Sequence, residues 1–98
     1  MPPTREATLA TLQRERPTLQ ALGARSLSLF GSVARDRATP DSDIDLLVEL
    51  EEHCTLFHLF RLRRHLEAQL DRPIDLGTID ALRDRARDPI LNEAIRVF

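Results

Sequence analysis

Residues 43–50, Asp-Ile-Asp-Leu-Leu-Val-Glu-Leu, constrain this chain more than any other segment. Ile44, Leu46 and Val48 alternate with Asp43, Asp45 and Leu47, the period of two that a pleated strand needs. Asp43 and Asp45 therefore project from the same face of a strand, close together. Two bare carboxylates side by side repel each other, and one tends to keep its proton. A positive group is expected between them. Oxygen ligands with no neighbouring His or Cys suit a hard cation such as Mg²⁺.

A second short strand, Ile74-Asp75-Leu76-Gly77, carries Asp75 at the equivalent place. Asp75 can join the same face, and three carboxylates on a short sheet suit two-metal phosphoryl transfer. A lone Asp at a strand start is often only a turn residue. Acidic residues inside apolar strands, however, are costly unless something compensates them. A calcium loop counted from Asp41 fails, because its sixth position is Leu46 where Gly is required.

The flanking segments give the architecture. Thr4 caps a helix to about Glu15, anchored by Leu9 and Leu12. Pro17 opens a last turn to Leu22, and Gly23 caps it. Ser26–Phe30 reads as a strand, Val33-Ala34-Arg35 as the start of a short helix, and 36–42 as a polar loop. The clearest helix is Thr55–Leu70, with Leu56, Leu59, Leu62, Leu66 and Leu70 on one face. Thr78 caps a brief helix from Ile79, and Asp88-Pro89 starts a last helix to about Val97. Strands interleaved with helices predict one α/β (α+β) domain over residues 1–98, a mixed sheet of three or four strands flanked by helices.

Composition narrows the function. Ninety-eight residues support one modest core, with no second domain to wrap a large substrate. An acceptor then comes from a partner or binds at an open face. Net charge is −2, every basic residue is Arg, and the aromatics are four Phe. The basic surplus and stacking platforms of a nucleic-acid binder are missing, so direct nucleic-acid binding is not expected. Cys54 is the sole cysteine, no apolar run approaches the ~20 residues of a membrane span, and the N-terminus lacks a signal-peptide core. A cytoplasmic protein is expected.

Gly31-Ser32 ends a strand and opens a helix, where free N–H groups and a close backbone approach suit phosphate. Arg35, one turn on, can add positive charge. Ten residues separate Ser32 from Asp43, giving G-S-x(10)-D-x-D. This resembles the signature of the DNA-polymerase-β-like nucleotidyltransferase superfamily. The stretch LFGSVARDRATPDSDIDLLVEL, with Ile74-Asp75-Leu76 as a third-carboxylate strand, looks like its minimal nucleotidyltransferase branch. The resemblance implies that Gly31 and Ser32 grip the triphosphate of ATP. It implies that Asp43 and Asp45 bind metal and that Asp75 completes the site and can deprotonate the acceptor. It further implies an antitoxin that transfers AMP to a hydroxyl, a tyrosine, of a HEPN-type toxin. A catalytically inactive antitoxin that neutralises its partner by covering it is the alternative. One position departs from the family pattern: Arg35-Asp36 stands where Arg-Gly is common, and Asp36 in place of Gly tolerates the left-handed backbone but adds a negative charge.

Three further readings concern the long helix. His58 and His65 share a helix face and read as solvated or capping histidines, not as a zinc pair. Phe57 falls between Arg61 and Arg64, opposite the leucines. An aromatic flanked by arginines fits a partner interface around the cleft; packing under a loop is the plainer alternative. The Arg83–Asp88 run, with alternating signs, reads as a solvated face.

Overall fold

The computed structural model describes residues 2–79 and 94–98. The chain opens with two short helices, α1 (Arg5–Arg14) and α2 (Arg16–Ala21). Thr4 caps α1 through its hydroxyl, which accepts from the Ala7 N–H at 3.1 Å. Pro17 lies in the first turn of α2, where its missing N–H costs nothing. Gly23, at φ 111°, then turns the chain into β1 (Ala24–Phe30).

After β1 come α3 (Gly31–Ala34), the polar loop, β2 (Ile44–Leu50), α4 (Leu56–Leu70), β3 (Ile74–Thr78) and β4 (Ile95–Arg96). The sheet order is β3-β2-β1-β4. β2 runs antiparallel to β1 and parallel to β3, with α4 as the crossover. The expected mixed sheet is therefore present, with four strands.

The alternation along β2 divides the sheet into two faces. Ile44, Leu46 and Val48 are buried against Leu12, Leu19, Leu62 and Leu66 of the helices. β1 contributes Leu27 and Leu29 to the same cluster. Asp45 and Leu47 point to the opposite face, where Leu47 packs beside Gly77 and is also buried. Burying a Leu side chain contributes roughly 1.5–3 kcal/mol, so this helix-facing layer carries most of the fold.

Two expectations need correction. The last helix does not reach Val97: Ile95 and Arg96 pair with Leu29 and Ser28 as β4. The Val97 N–H donates to the Leu27 carbonyl at 2.8 Å, and Val97 and Phe98 are buried. An apolar end segment gains more by extending a sheet edge over the core than by a solvated helical turn. The expected start of that helix at Asp88-Pro89 lies outside the described residues, as do the Arg83–Asp88 run and the body of the brief helix expected from Ile79; Thr78, its expected cap, is the last residue of β3. Leu56 is the other correction. It is 68% exposed and does not join the leucine face, because α4 meets the core only from its second turn onward.

α4 is held at both ends. Thr55 caps it, and His58 closes a capping box by accepting the Thr55 N–H on Nδ1 at 3.0 Å. Asp71 terminates it in the left-handed region, at φ 51°. His65 meets Glu15 at 2.7 Å, tying α4 to the end of α1. His58 is therefore a capping group, as the sequence suggested, while the pairing of His65 with Glu15 was not foreseen.

Candidate active site

The parallel crossover decides where the carboxylates meet. β2 and β3 start at the same end of the sheet, in a register that sets Asp45 directly beside Asp75. β1 ends there too, with Phe30 opposite Asp45. Asp43 precedes β2 by one residue and shares the parity of Asp45. All three sequence-derived carboxylates thus converge on one end of the sheet, on the face opposite α1, α2 and α4.

Asp45 is the partly buried member; Asp43 and Asp75 are exposed. Burial pushes the Asp45 carboxyl up to about 6, and the charge of Asp75, a hydrogen bond to it and the charge of Asp43 add to this. Arg35 acts the other way. Arg35 is exposed, one turn beyond Gly31, and its N–H donates to the Gly31 carbonyl at 3.2 Å. Three carboxylate groups, one of them raised by its neighbours, are a donor set that fits a hard divalent cation. Asp43, Asp45 and Asp75 would hold it.

Gly31 is required here for two reasons. Its φ of 75° lies in the left-handed region. A Cβ at this position would also run into the Asp45 carboxylate. The close approach expected of this glycine is therefore made first to Asp45. Ser32 follows in the same turn, and its carbonyl accepts the Arg37 N–H at 2.8 Å. α3 is a single turn of four residues, so its dipole is small and backbone N–H groups matter more.

Asp36 takes the left-handed conformation expected of it, at φ 56°. Its carboxylate accepts the Arg5 N–H at 3.1 Å, and the Arg5 guanidinium reaches the Ala34 carbonyl at 3.4 Å. The added charge is thus spent on the first turn of α1. Sequence reasoning missed this contact, because thirty-one positions separate the partners and no local pattern announces it.

Phe57, Arg61 and Arg64 are exposed, with Phe57 at 77%. They do not surround the cleft. α4 runs antiparallel to β2, so its first turns lie at the end of the sheet opposite the carboxylates. Fifteen residues rising ~1.5 Å each separate the two ends of this helix by roughly 20 Å.

Residues 12–97 match the nucleotidyltransferase domain family. The chain belongs to that family. It is a nucleotidyltransferase, and its relatives agree. A protein of Methanocaldococcus jannaschii provisionally named a protein adenylyltransferase is 41% identical over 82 residues, 84% of this chain and 88% of the relative. The protein adenylyltransferase MntA of Thermococcus cleftensis is 35% identical over 78 residues, covering 80% of this chain and 79% of the relative. Among solved structures, one provisionally described as a minimal nucleotidyltransferase superposes with a TM-score of 0.74 at 41% identity, covering 89% of this chain and 93% of the other. A toxin–antitoxin complex with AMP-PNP matches at a TM-score of 0.66 and 18% identity, covering 88% and 72%, a likeness of fold. Among the described residues of this nucleotidyltransferase, no helix is long and apolar enough to cross a membrane.

Proposed function

We propose that this nucleotidyltransferase transfers AMP from ATP to the hydroxyl of a docked protein, a tyrosine of a HEPN-type toxin, and so acts as its antitoxin. The observation that carries the reading is the Asp45–Asp75 pairing beside Asp43, with Gly31 packed on the Asp45 carboxylate. Protein adenylyltransferase relatives matched over most of their length support AMP as the transferred group. The toxin–antitoxin neighbour supports a protein acceptor.

Mg²⁺ held by Asp43, Asp45 and Asp75 would neutralise phosphate charge and lower the pKa of the acceptor hydroxyl. The Gly31-Ser32 turn grips the triphosphate, with Arg35 adding positive charge at its rim. The acceptor oxygen attacks the α-phosphorus in line, a P–O bond forms, the bond to the bridging oxygen breaks, and pyrophosphate leaves. Asp75, exposed at the mouth of the site, takes the acceptor proton. Asp43 and Asp75 are exposed, so a docked acceptor can reach the carboxylates.

The test uses the full chain, a HEPN-type partner, ATP and Mg²⁺. Mass spectrometry is expected to show the partner gaining AMP, with fragmentation mapping it to tyrosine. Asp43→Asn/Asp45→Asn abolishes the adduct. A partner neutralised equally well by this variant, with no adduct at any time, would overturn the catalytic reading in favour of neutralisation by binding.

A further inference from the structure

A second cluster of ligating groups lies at the end of the sheet opposite the carboxylates. His53, Cys54 and His58 bring one ligand atom each to within 4.8 Å of one another. His53 Nε2 lies 3.9 Å from Cys54 Sγ, and the two imidazole rings stand edge to face at 5.8 Å. Bond lengths of ~2.0 Å to nitrogen and ~2.3 Å to sulfur put tetrahedral ligands roughly 3.3–3.6 Å apart. Closing the widest gap takes a contraction of roughly 1.5 Å or less, on one turn and one helix start.

The backbone is shaped to admit the sulfur. Gly23 faces this cluster, and a Cβ there would clash with Cys54 Sγ and touch the His58 ring. Cys54 is half-buried on this glycine, while His53 remains exposed. Cys54 also lines a cavity of about 410 Å³, bordered among the described residues by Glu49, Glu51, Glu52 and Thr78. Solvent and a cation have access from that side; Arg25 also lines it and pairs with Glu51 at 3.1 Å, and Glu49 and Glu52 leave the rim net acidic, which favours positive charge.

We propose that His53, Cys54 and His58 form a binding site for a borderline-soft divalent cation, Zn²⁺, with water in the fourth position. One thiolate and two imidazoles are the donor set that separates Zn²⁺ from the hard cation suited to the carboxylates. The thiol loses its proton to solvent on binding. Ligation through His58 Nε2 places the ring proton on Nδ1, where Thr55 Oγ1, 3.3 Å away, accepts it. The Thr55 N–H then gives up its present acceptor. Zn²⁺ would replace the capping box as the clamp that holds the 51–55 turn to the first turn of α4.

The test takes the full chain carrying Asp43→Asn/Asp45→Asn, so that the carboxylate end does not compete. Titration with Co²⁺ is expected to give one ion per chain, with tetrahedral visible bands and a sulfur-to-cobalt charge-transfer band. Zn²⁺ should displace Co²⁺ and raise the melting temperature. Cys54→Ser should remove the charge-transfer band and the thermal shift, and His53→Ala should weaken binding at least tenfold. His58→Ala also removes the cap, so His53→Ala decides where His58→Ala fails to fold. Co²⁺ bound without a thiolate band, unchanged affinity in Cys54→Ser, or one ion shared between two chains would overturn the site.

Discussion

Asp45 on β2 stands in register with Asp75 on β3, and beyond burial it is the neighbouring Asp75 carboxyl that most raises the Asp45 carboxyl above its ordinary range. Such a pair is uncomfortable without a cation.

Replacing Asp45 changes how stability depends on pH. Its carboxyl is raised from 3.8 to about 6 by burial and by Asp75 and Asp43. The folded state therefore prefers the protonated form. In metal-free buffer the wild type keeps that contribution below pH 3.8 and loses it as the pH rises through about 6. Asp45→Asn stays neutral throughout. The variant should match the wild type at pH 3.5 to 4 and exceed it at pH 7.5. Unscreened, the effect would be ~3 kcal/mol; solvent around a partly exposed group leaves about 1 kcal/mol. Urea melts in EDTA at both pH values measure it, and equal stability at pH 7.5 would contradict the strain.

Mg²⁺ with ATP should raise the melting temperature, and ATP with EDTA should do so weakly. Clustered carboxylates repel a bare triphosphate until a cation bridges them. Binding at tenfold Kd adds about 1.4 kcal/mol, which is roughly 5–10 °C for a domain of this size. Equal shifts with and without EDTA would separate nucleotide binding from the carboxylates.

Gly31→Ala should cost more activity than stability. The left-handed backbone and the clash with Asp45 together should cost about 1–2 kcal/mol. The new methyl group pushes the Asp45 carboxylate aside, so transfer should fall by at least tenfold in a protein that still melts cooperatively. Wild-type turnover in a correctly folded Gly31→Ala protein would show that the contact is not needed.

Phe57→Ala should leave the fold and ATP binding unchanged, because Phe57 is 77% exposed and lies at the far end of α4. If Phe57, Arg61 and Arg64 dock the partner, affinity should drop by ~2 kcal/mol. Calorimetry against the partner decides this. The placement adds a requirement: a partner gripping Phe57 must extend along α4 to present its hydroxyl at the carboxylates. Unchanged affinity would move the interface to the rim of the cleft.

The local chemistry of this protein is written in its sequence. Alternation in 43–50 set a strand with Asp43 and Asp45 on one face, and Thr4, Thr55 and Pro17 marked helix starts through their own backbone chemistry. The Gly31-Ser32 turn was legible through its spacing to Asp43 and Asp45; the left-handed φ of Gly31 emerged with the structure. Each of these depends on neighbours a few positions apart, and periodicity and capping report on that range.

Tertiary structure decided what depends on distant partners. The register that pairs Asp45 with Asp75 follows from the α4 crossover, and a shift of one residue would have sent Asp75 to the helix face. Leu56 matches the leucine stripe in spacing yet stays exposed, because burial depends on where the sheet ends beneath α4. Ile95 and Arg96 form a strand because β1 has an open edge over the core. Asp36 meets Arg5, and Cys54 meets Gly23, only because strands and turns thirty-one positions apart are folded against each other. Side-chain identity sets which contacts are favourable; the packed sheet sets which of them are within reach.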